Sequence, residues 1–254
     1  MKMDNKVSGM VYGLVIVLLV VNLVGIVSGL DMDIEPNSSI GQAQSIDVGS
    51  YNGTLKITSS SDTTDWYKIN VNGYEVLFVN FTNAPIGSDM ALTTNYGTSK
   101  ISVTDVTSAN LAYAFSSSVP YAGIKITSNN AGGYNFTVEK MPQNDGESGS
   151  DASTAYTSSA PLVTSGFHSG YLCGDDGTDW YRINVPKNKF IYVNVTPNSN
   201  MRVDVVLKLY SSMDNQDSDT GVGLGDEVGV CDFTQDAQEY GLGITLQEGF
   251  GAYN

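Results

Sequence analysis

Short runs of alternating apolar and polar residues recur along the chain, and this pattern predicts half-buried β-strands. In the run 64–71, Tyr67, Ile69 and Val71 alternate with residues that would point to the opposite side. Successive side chains of a strand face opposite sides of a sheet, so these three residues are predicted to face a core. Turns rich in Gly, Asn and Ser separate the runs, and no helical period is evident beyond the N-terminal segment. The pattern therefore predicts an all-β, antiparallel sandwich architecture.

The strand pattern is duplicated within the chain. Residues 61–71 (SDTTDWYKINV) correspond to residues 175–185 (DDGTDWYRINV), and each copy is followed by a turn and a second apolar strand. Later pairs of segments match in the same order, namely 121–126 with 241–246 and 133–135 with 252–254. Matches that keep one order indicate a tandem repeat rather than chance.

The repeat sets the predicted domain organisation. We predict a hydrophobic leader at residues 1–29, a first β-sandwich (module one) at residues 31–140, a polar linker at residues 141–150 and a second β-sandwich (module two) at residues 151–254. The second copy stops at Asn254 and offers no counterpart of residues 136–140, so module two is expected to lack its last strand. Either the chain is a fragment, or the vacant sheet edge accepts a strand from another molecule.

The N-terminal leader predicts export from the cell. Lys2 and Lys6 precede the apolar run 10–27, and small residues follow it at positions 28–29. This is the order of a secretory signal peptide. The run is also long enough for an uncleaved membrane anchor, and a pilin-type leader cut after Gly9 is a third alternative. All three alternatives predict an extracellular or cell-surface protein, with membrane contact only through an uncleaved leader.

The charge balance excludes one class of partner. Lys plus Arg total 12 against 27 Asp plus Glu, which gives a formal net charge of −15. Such an acidic surface repels phosphate backbones, so nucleic acid is not an expected partner.

Export also bears on two kinds of covalent modification. Cys173 and Cys231 are predicted to form a disulfide, because an exported chain meets an oxidising compartment. Glycans attach to Asn-x-Ser/Thr sequons in secreted proteins. The candidate glycosylation sites are Asn37, Asn52, Asn80, Asn135 and Asn194.

The sequence offers no recognisable catalytic constellation. His168 is the only histidine, which excludes a zinc-binding histidine pair, and no Gly-x-Ser-x-Gly elbow accompanies it. No Gly-rich phosphate loop with a Lys is present. Carboxylate pairs of the glycosidase kind are not excluded, but no pair stands out. The chain is therefore predicted not to be an enzyme, and His168 is predicted to be a surface residue of a turn.

Three motifs occur in order in module one: Glu-Pro-Asn at residues 35–37, Asp-Thr-Thr-Asp-Trp-Tyr at residues 62–67 and Gly-Tyr-Asn-Phe-Thr-Val at residues 133–138. Together they resemble the bacterial and archaeal pre-peptidase C-terminal domain family, which includes the collagen-binding domains of clostridial collagenases. Module two resembles the family less completely, because it lacks Glu-Pro-Asn. The resemblance implies tandem jelly-roll-like sandwiches and an accessory role beside secreted enzymes, commonly peptidases.

Asp62 and Asp65 flank a tight turn before a strand, a spacing that can direct two carboxylates at one hard cation. Calcium takes six to eight oxygen ligands, so two carboxylates are not sufficient. The resemblance implies that the N-terminal segment of module one completes a Ca²⁺ site through Asp33, Glu35 and Asn37, although a glycan on Asn37 would weaken its ligation. The alternative is that Asp62 and Asp65 only accept hydrogen bonds from backbone N–H groups of the turn.

Further candidate features lie around these turns. In module two, Asp176 and Asp179 occupy the positions equivalent to Asp62 and Asp65, but the preceding segment offers poor ligands for Ca²⁺.

The acidic run 214–219 lacks the ligand order of an EF-hand loop and is predicted to be a solvated loop. For Trp66 and Trp180, packing beside the acidic turns is favoured over a sugar-binding surface.

These observations predict a secreted or cell-surface, non-catalytic β-sandwich protein that serves adhesion, substrate binding or support of a partner enzyme. Its partners would be an extracellular polymer, a surface protein or that enzyme, and Ca²⁺ would stiffen it. One alternative is the accessory region of a secreted peptidase or other hydrolase whose catalytic domain lies outside this chain. Another is a surface-layer or filament subunit completed by strand exchange.

Overall fold

The computed structural model describes residues 30–31, 34, 37–56, 62–73, 75–115, 119–148, 152, 155–199, 201–209 and 212–254. The predicted leader at residues 1–29 and the predicted ligands Asp33 and Glu35 lie outside the described residues. Strands make up most of the described chain, which contains no α-helix. The prediction of an all-β sandwich fold is confirmed. No helix in this part of the chain has the length and apolar character needed to cross a membrane.

The described strands of module one form two sheets. The strands are β1 (Leu30–Asp31), β2 (Gln44–Ser45), β3 (Gly49–Leu55), β4 (Thr64–Val71), β5 (Glu75–Thr82), β6 (Ser88–Thr93), β7 (Ser99–Val106), β8 (Ala109–Phe115), β9 (Val119–Ser128) and β10 (Gly132–Pro142). One sheet has the order β1-β3-β10-β5-β8, and the other has the order β2-β4-β9-β6-β7. The short strands β1 and β2 pair in parallel with β3 and β4, and the longer strands pair antiparallel.

A short 3₁₀ helix (Asp145–Glu147) leads from module one into module two. The strands of module two are β11 (Leu162–Val163), β12 (Gly170–Leu172), β13 (Thr178–Val185), β14 (Lys189–Val195), β15 (Met201–Leu209), β16 (Asn215–Thr220), β17 (Val228–Thr234), β18 (Gln238–Gly249) and β19 (Gly251–Tyr253). The sheet β11-β13-β18-β15-β16 corresponds strand for strand to β2-β4-β9-β6-β7, since β11 is the counterpart of β2 and each later strand follows in the same order.

The other sheet of module two is divided. β19 has three residues and pairs with β12, whereas β10 has 11 residues and pairs with both β3 and β5. In the described chain, β12-β19 and β14-β17 are therefore separate two-stranded pieces of what is one sheet in module one.

The alternation in the sequence correctly identifies the core-facing residues. In β4, Tyr67, Ile69 and Val71 are at most 2% exposed, and in β13 Tyr181 and Val185 are buried. Each module has its own cluster of buried apolar side chains. Removing this apolar surface from water is the main contribution to the stability of each sandwich.

A buried carboxylate and two tyrosine hydroxyls join the two sheets of module one. Tyr134 of β10 donates a hydrogen bond to Asp65 Oδ2 of β4 over 2.5 Å, and its oxygen lies 2.6 Å from the Tyr67 hydroxyl. Burial raises the pKa of Tyr134 far above its usual range, so the hydroxyl keeps the proton that it donates. A Cβ at Gly53 would collide with the Tyr134 hydroxyl, so the close approach requires glycine.

Module two contains the same link. Tyr253 of β19 donates to Asp179 of β13, and its hydroxyl contacts that of Tyr181. A Cβ at Gly170 would collide with the Tyr253 hydroxyl, as one at Gly53 would with Tyr134. We call this arrangement the Asp–Tyr–Tyr link of each module.

The two modules contact each other through the outer face of β5 and β8. Cys173 of module two is fully buried against Val76, Ala112 and Ala114, and the ring of Tyr171 meets Phe78 edge-on at 5.3 Å. Polar contacts lie at one edge of this interface, where the Asp175 carboxylate accepts hydrogen bonds from Lys100 Nζ at 3.1 Å and from the Tyr113 hydroxyl. The residues around Asp176 are thereby fixed against module one.

The predicted Cys173–Cys231 disulfide is not formed in this structure, where both cysteines are free. Cys173 is buried in the contact with module one, whereas Cys231 is exposed on β17. Burial raises the pKa of the Cys173 thiol far above its usual range. Cys173 therefore acts as a small apolar side chain of the interface between the modules.

Two polar segments differ from the prediction. The acidic run 214–219 is not a loop, because residues 215–220 form β16 at the edge of its sheet. Asp217 and Asp219 accept hydrogen bonds from the N–H groups of Cys231 (2.8 Å) and Gly229 (2.9 Å) in β17, which explains why acidic residues occupy a strand. Part of the predicted linker is also packed, since Asp145 is 1% exposed.

We predict that Tyr134→Phe lowers the free energy of unfolding by about 1–3 kcal/mol, because it removes a donor from a buried carboxylate. Urea unfolding followed by tryptophan fluorescence measures the change. Tyr51→Phe is the matched control, because the Tyr51 hydroxyl donates to the exposed Asp47 carbonyl at 2.8 Å. Equal losses in the two variants would contradict a special role for the link.

Candidate metal centre

Three buried carboxylates meet at the start of module two. Asp145 comes from the 3₁₀ helix, Asp176 from the turn before β13, and Asp179 from β13 itself. Each residue is at most 4% exposed, and one carboxylate oxygen from each lies within 4.8 Å of the other two. The acidic turn and the segment preceding module two therefore converge on one point.

Hydrogen bonds orient each of these carboxylates. Asp145 accepts from the N–H groups of Tyr171 (2.7 Å) and Ala152 (3.2 Å). Asp176 accepts from Gln143 Nε2 at 2.5 Å, and Asp179 accepts from the Tyr253 hydroxyl. These bonds hold the three carboxylates in place beside one another.

The proximity of the three carboxylates has an electrostatic consequence. Two unit charges within 4.8 Å of each other repel by at least about 3.5 kcal/mol at an effective dielectric constant of about 20. Burial, followed by the charge of Asp179, raises the pKa of Tyr253 and Tyr181 far above the usual range. A bound cation or a proton would relieve this repulsion. An oxygen-only donor set fits a hard divalent cation such as Ca²⁺.

Asp145 was not among the residues predicted from the sequence. The structure brings the predicted Asp176 and Asp179 together and adds Asp145 as a third carboxylate. Asp145 lies in a polar stretch that has the composition of a linker. It precedes Leu162, the first residue of β11, by 17 positions, whereas in module one Asn37 precedes Gln44, the first residue of β2, by only seven positions. The spacing in module one therefore does not indicate Asp145 as a ligand of module two. The acidic Asp145-Gly146-Glu147 turn was the available signal.

In module one, the described part of the predicted site comprises Asn37, Asp62 and Asp65. Asn37 and Asp65 are fully buried, and the Trp66 N–H donates to the Asn37 carbonyl at 2.9 Å. Both carboxylate oxygens of Asp62 are buried and have no hydrogen-bond partner among the described residues. The structure thus places Asn37 beside β4, the strand that carries Asp65.

Burial also distinguishes the candidate glycosylation sites. Asn37 is fully buried, so a glycan does not fit there in this fold. Asn52 is half-buried, whereas Asn80, Asn135 and Asn194 are exposed. Glycosylation at these four positions remains a prediction.

The two tryptophans pack rather than form an open platform. Trp66 is 9% exposed and has Lys125 Nζ 5.6 Å from its ring centroid. Trp180 is half-buried and stacks on Tyr156 with ring centroids 5.4 Å apart. Exposed aromatic side chains of module two lie instead on β14 and β17, and Phe167 is exposed in the loop before β12.

His168 forms an ion pair near the surface. Its Nδ1 lies 2.6 Å from Glu147 Oε2, and its Nε2 lies 2.8 Å from the Thr164 carbonyl oxygen. The hydrogen bond with Glu147 raises the pKa of His168 and lowers that of Glu147. The pair fixes the 3₁₀ helix that carries Asp145 to the loop before β12.

Comparisons with known proteins give limited similarity. No family model matches the chain, and no curated protein matches it. The pre-peptidase C-terminal domain of a Bacillus anthracis collagenase is 22% identical, with a TM-score of 0.34, over 39% of this chain and 95% of that domain. A tandem CBM22 domain from Paenibacillus barcinonensis Xyn10C is 8% identical, with a TM-score of 0.22, over 81% of this chain and 91% of that one.

A third solved structure, the plant receptor-like kinase ANX1, is 9% identical with a TM-score of 0.22, over 80% of this chain and 83% of that one. These similarities do not assign the chain to the pre-peptidase C-terminal domain family. Membership of that family, and its occurrence in two tandem copies, remain predictions.

We predict that His168 titrates above its ordinary pKa of about 6.5 and that Glu147→Gln returns it towards that value. The contribution of the pair to stability is then complete below the unfolded pKa of His168 and is lost as the pH rises through the folded pKa. On the acid side it is lost as the pH falls through the lowered pKa of Glu147. NMR titration measures this directly, because the chain has one histidine.

The exposed Glu248 supplies a control for this titration, as Glu248→Gln should leave the pKa of His168 unchanged. A wild-type pKa at or below the ordinary value would show that the ion pair does not form.

Proposed function

We propose that this protein is an extracellular, non-catalytic binding protein. Its outer β14–β17 face in module two binds a polymer or a protein, and a cation at the buried carboxylates stabilises the sandwich that presents this face. The observation that carries the proposal is the exposed aromatic surface of β14 and β17, which we call the aromatic face.

The aromatic face consists of Phe190, Tyr192 and Phe233. They are 77%, 72% and 43% exposed, respectively, and the rings of Phe190 and Phe233 lie 4.8 Å apart on paired strands. Adjacent exposed aromatic side chains are unusual on a soluble surface and favour contact with a partner. Tyr and Phe also supply large contact area with few rotatable bonds.

The same outer face is a contact surface in module one. There the equivalent strands β5 and β8 present Val76, Phe78, Ala112 and Ala114, which are covered by residues of module two. In module one, the outer face of β5 and β8 therefore binds another folded domain. At the equivalent positions of module two the side chains are larger and more exposed, which supports a binding role for the aromatic face.

The buried carboxylates support a structural cation rather than a catalytic one. Asp145, Asp176 and Asp179 lie inside the sandwich beneath the Asp–Tyr–Tyr link rather than in an open cleft. A Ca²⁺ ion there would join the segment preceding module two to β13. In module one, Asn37, Asp62 and Asp65, together with Asp33 and Glu35, would form the corresponding site.

A second candidate function is the accessory region of a secreted hydrolase. It is favoured by the module contact itself, in which one sandwich docks a further domain on its outer β5–β8 face. In that case the aromatic face would hold a partner enzyme. A peptidase or glycosidase domain in the same open reading frame, with a contact to Phe190 and Tyr192, would favour this candidate over polymer binding.

We predict that Ca²⁺ raises the melting temperature and that chelator lowers it. A ligand that binds only the folded state stabilises it by about 2.7 kcal/mol at a hundredfold excess over Kd. Asp176→Asn should abolish this response. In chelator the variant should be at least as stable as the wild type, because one charge repulsion is removed. Thermal unfolding with and without Ca²⁺ measures both effects.

Asp236→Asn serves as the matched control for the calcium experiment, because the Asp236 side chain is 77% exposed in a surface ion pair with Lys187. This variant should keep the calcium response. If the wild type melts at the same temperature in Ca²⁺ and in chelator, the cation site does not exist.

We predict that the double variant Phe190→Ser and Tyr192→Ser weakens polymer binding by about tenfold or more, because aromatic anchors dominate such contacts. Depletion assays with collagen fibres and insoluble polysaccharides measure the affinity. Tyr96→Ser is the control, since Tyr96 is 86% exposed in module one. Unchanged binding by the double variant would exclude the aromatic face as the binding surface.

A further inference from the structure

The edges of the two sheets of module two meet along β16 and β17. β16 is the last strand of the sheet β11-β13-β18-β15-β16, and in the described chain β17 lies at the edge of its sheet, paired with β14. The edge of a strand presents N–H and C=O groups that can pair with a strand of another molecule. The partners of these groups therefore decide whether a further strand can add to β17.

Two carboxylates of β16 occupy N–H groups at the edge of β17. The N–H of Gly229 donates to Asp219 Oδ2 at 2.9 Å, and the N–H of Cys231 donates to Asp217 Oδ2 at 2.8 Å. Alternate residues of an edge strand direct their N–H groups away from the paired strand. Gly229 and Cys231 are therefore donors that an added strand would use.

The next donor along β17 is occupied in the same way. The N–H of Phe233 donates to Asp232 Oδ1 at 2.7 Å, and Asp232 Oδ2 accepts from the Tyr240 hydroxyl of β18 at 2.8 Å. Burial and the hydrogen bond to Asp232 raise the pKa of Tyr240 to about 12, so its hydroxyl keeps the proton that it donates. Three alternate N–H groups of β17 are thus bound to carboxylates.

Each of the two β16 carboxylates also binds an N–H group of its own strand. Asp217 Oδ1 accepts from the Ser218 N–H at 2.9 Å, and Asp219 Oδ1 accepts from the Thr220 N–H at 2.9 Å. The two oxygens of each carboxylate therefore bridge β16 and β17. An amide side chain has one acceptor oxygen and alanine has none, so neither can form the complete bridge.

The register places these carboxylates where module one has apolar side chains. Asp217 and Asp219 lie opposite two buried residues of β15, so they lie on the core-facing side of their sheet. In module one the core-facing positions of the corresponding edge strand, β7, hold Ile101 and Val103, which pack against the core. Charged residues that point inward on an edge strand are one way in which proteins prevent strand addition.

We propose that Asp217 and Asp219 block the edge of β17 and thereby prevent module two from pairing edge to edge with a second copy of this chain. A strand from a second copy would need the N–H groups of Gly229 and Cys231, which are already bound. Freeing these groups would break both carboxylate bridges between β16 and β17. The blocked edge differs from the aromatic face, which lies on the outer side of the same strand, so either proposal can fail alone.

Hydrogen exchange of the 254-residue chain, followed by NMR, tests the two bridges. The double variant Asp217→Ala and Asp219→Ala should speed the exchange of the Gly229 and Cys231 amides by about tenfold or more, because their acceptors are removed. The Phe233 amide should keep its exchange rate, since its acceptor on Asp232 is unchanged. This amide therefore reports whether β17 remains folded.

Sedimentation measures the self-association that the block prevents, in reducing agent because Cys231 is exposed. The alanine double variant should associate at a concentration at least about tenfold lower than the wild type, because its β17 edge is open. Asp214→Ala with Asp226→Ala is the matched control, because it removes the same charge from two exposed residues and should associate as the wild type does. The N-terminal segment is common to all variants and contributes equally.

Two further variants identify the cause and the surface. Asp217→Asn with Asp219→Asn has the charge of the alanine variant but keeps one acceptor per residue, so its exchange rates should be intermediate; it decides the test if the alanine variant does not fold. Adding Cys231→Pro to the alanine variant should abolish association, because proline has no N–H and cannot pair there. Unchanged exchange at Gly229 and Cys231, association equal to that of the control, or association that survives Cys231→Pro would overturn the proposal.

Discussion

A buried chain of one carboxylate and two tyrosine hydroxyls joins the two sheets of each module, and the remaining structure is arranged around it. The carboxylate and one tyrosine lie on β4 or β13, and the second tyrosine lies on β10 or β19 in the facing sheet. In a low-dielectric interior, a polar group without a partner is costly, so this link specifies how the sheets align. It also requires glycine on β3 and β12, where a side chain would occupy the position of the tyrosine hydroxyl.

The link explains which features could be predicted from the sequence. Alternation predicts correctly that Tyr67, Ile69 and Val71 face the core, because the period of a strand is a local property. It does not reveal that Tyr134, 69 positions after Asp65, completes a hydrogen bond across the sandwich.

The sequence does not indicate Asp145 for the same reason, because its carboxylate meets Asp176 and Asp179 only through tertiary packing. The acidic strand β16 was interpreted as a loop because its carboxylates bind backbone N–H groups of another strand, β17. The sequence suggests the cysteine pairing through the expected compartment alone, whereas the contact that buries Cys173 exists only in the tertiary structure.

The two modules share one strand order but differ in how completely it is paired. In module one, β10 spans the sheet and Phe136 closes the core, while the outer face of β5 and β8 is covered by module two. In module two, β19 pairs only with β12, and the equivalent outer face of β14 and β17 is exposed and carries Phe190, Tyr192 and Phe233. The same face of one fold is therefore buried in module one and open to solvent in module two, which is why the proposal of a binding surface concerns β14 and β17.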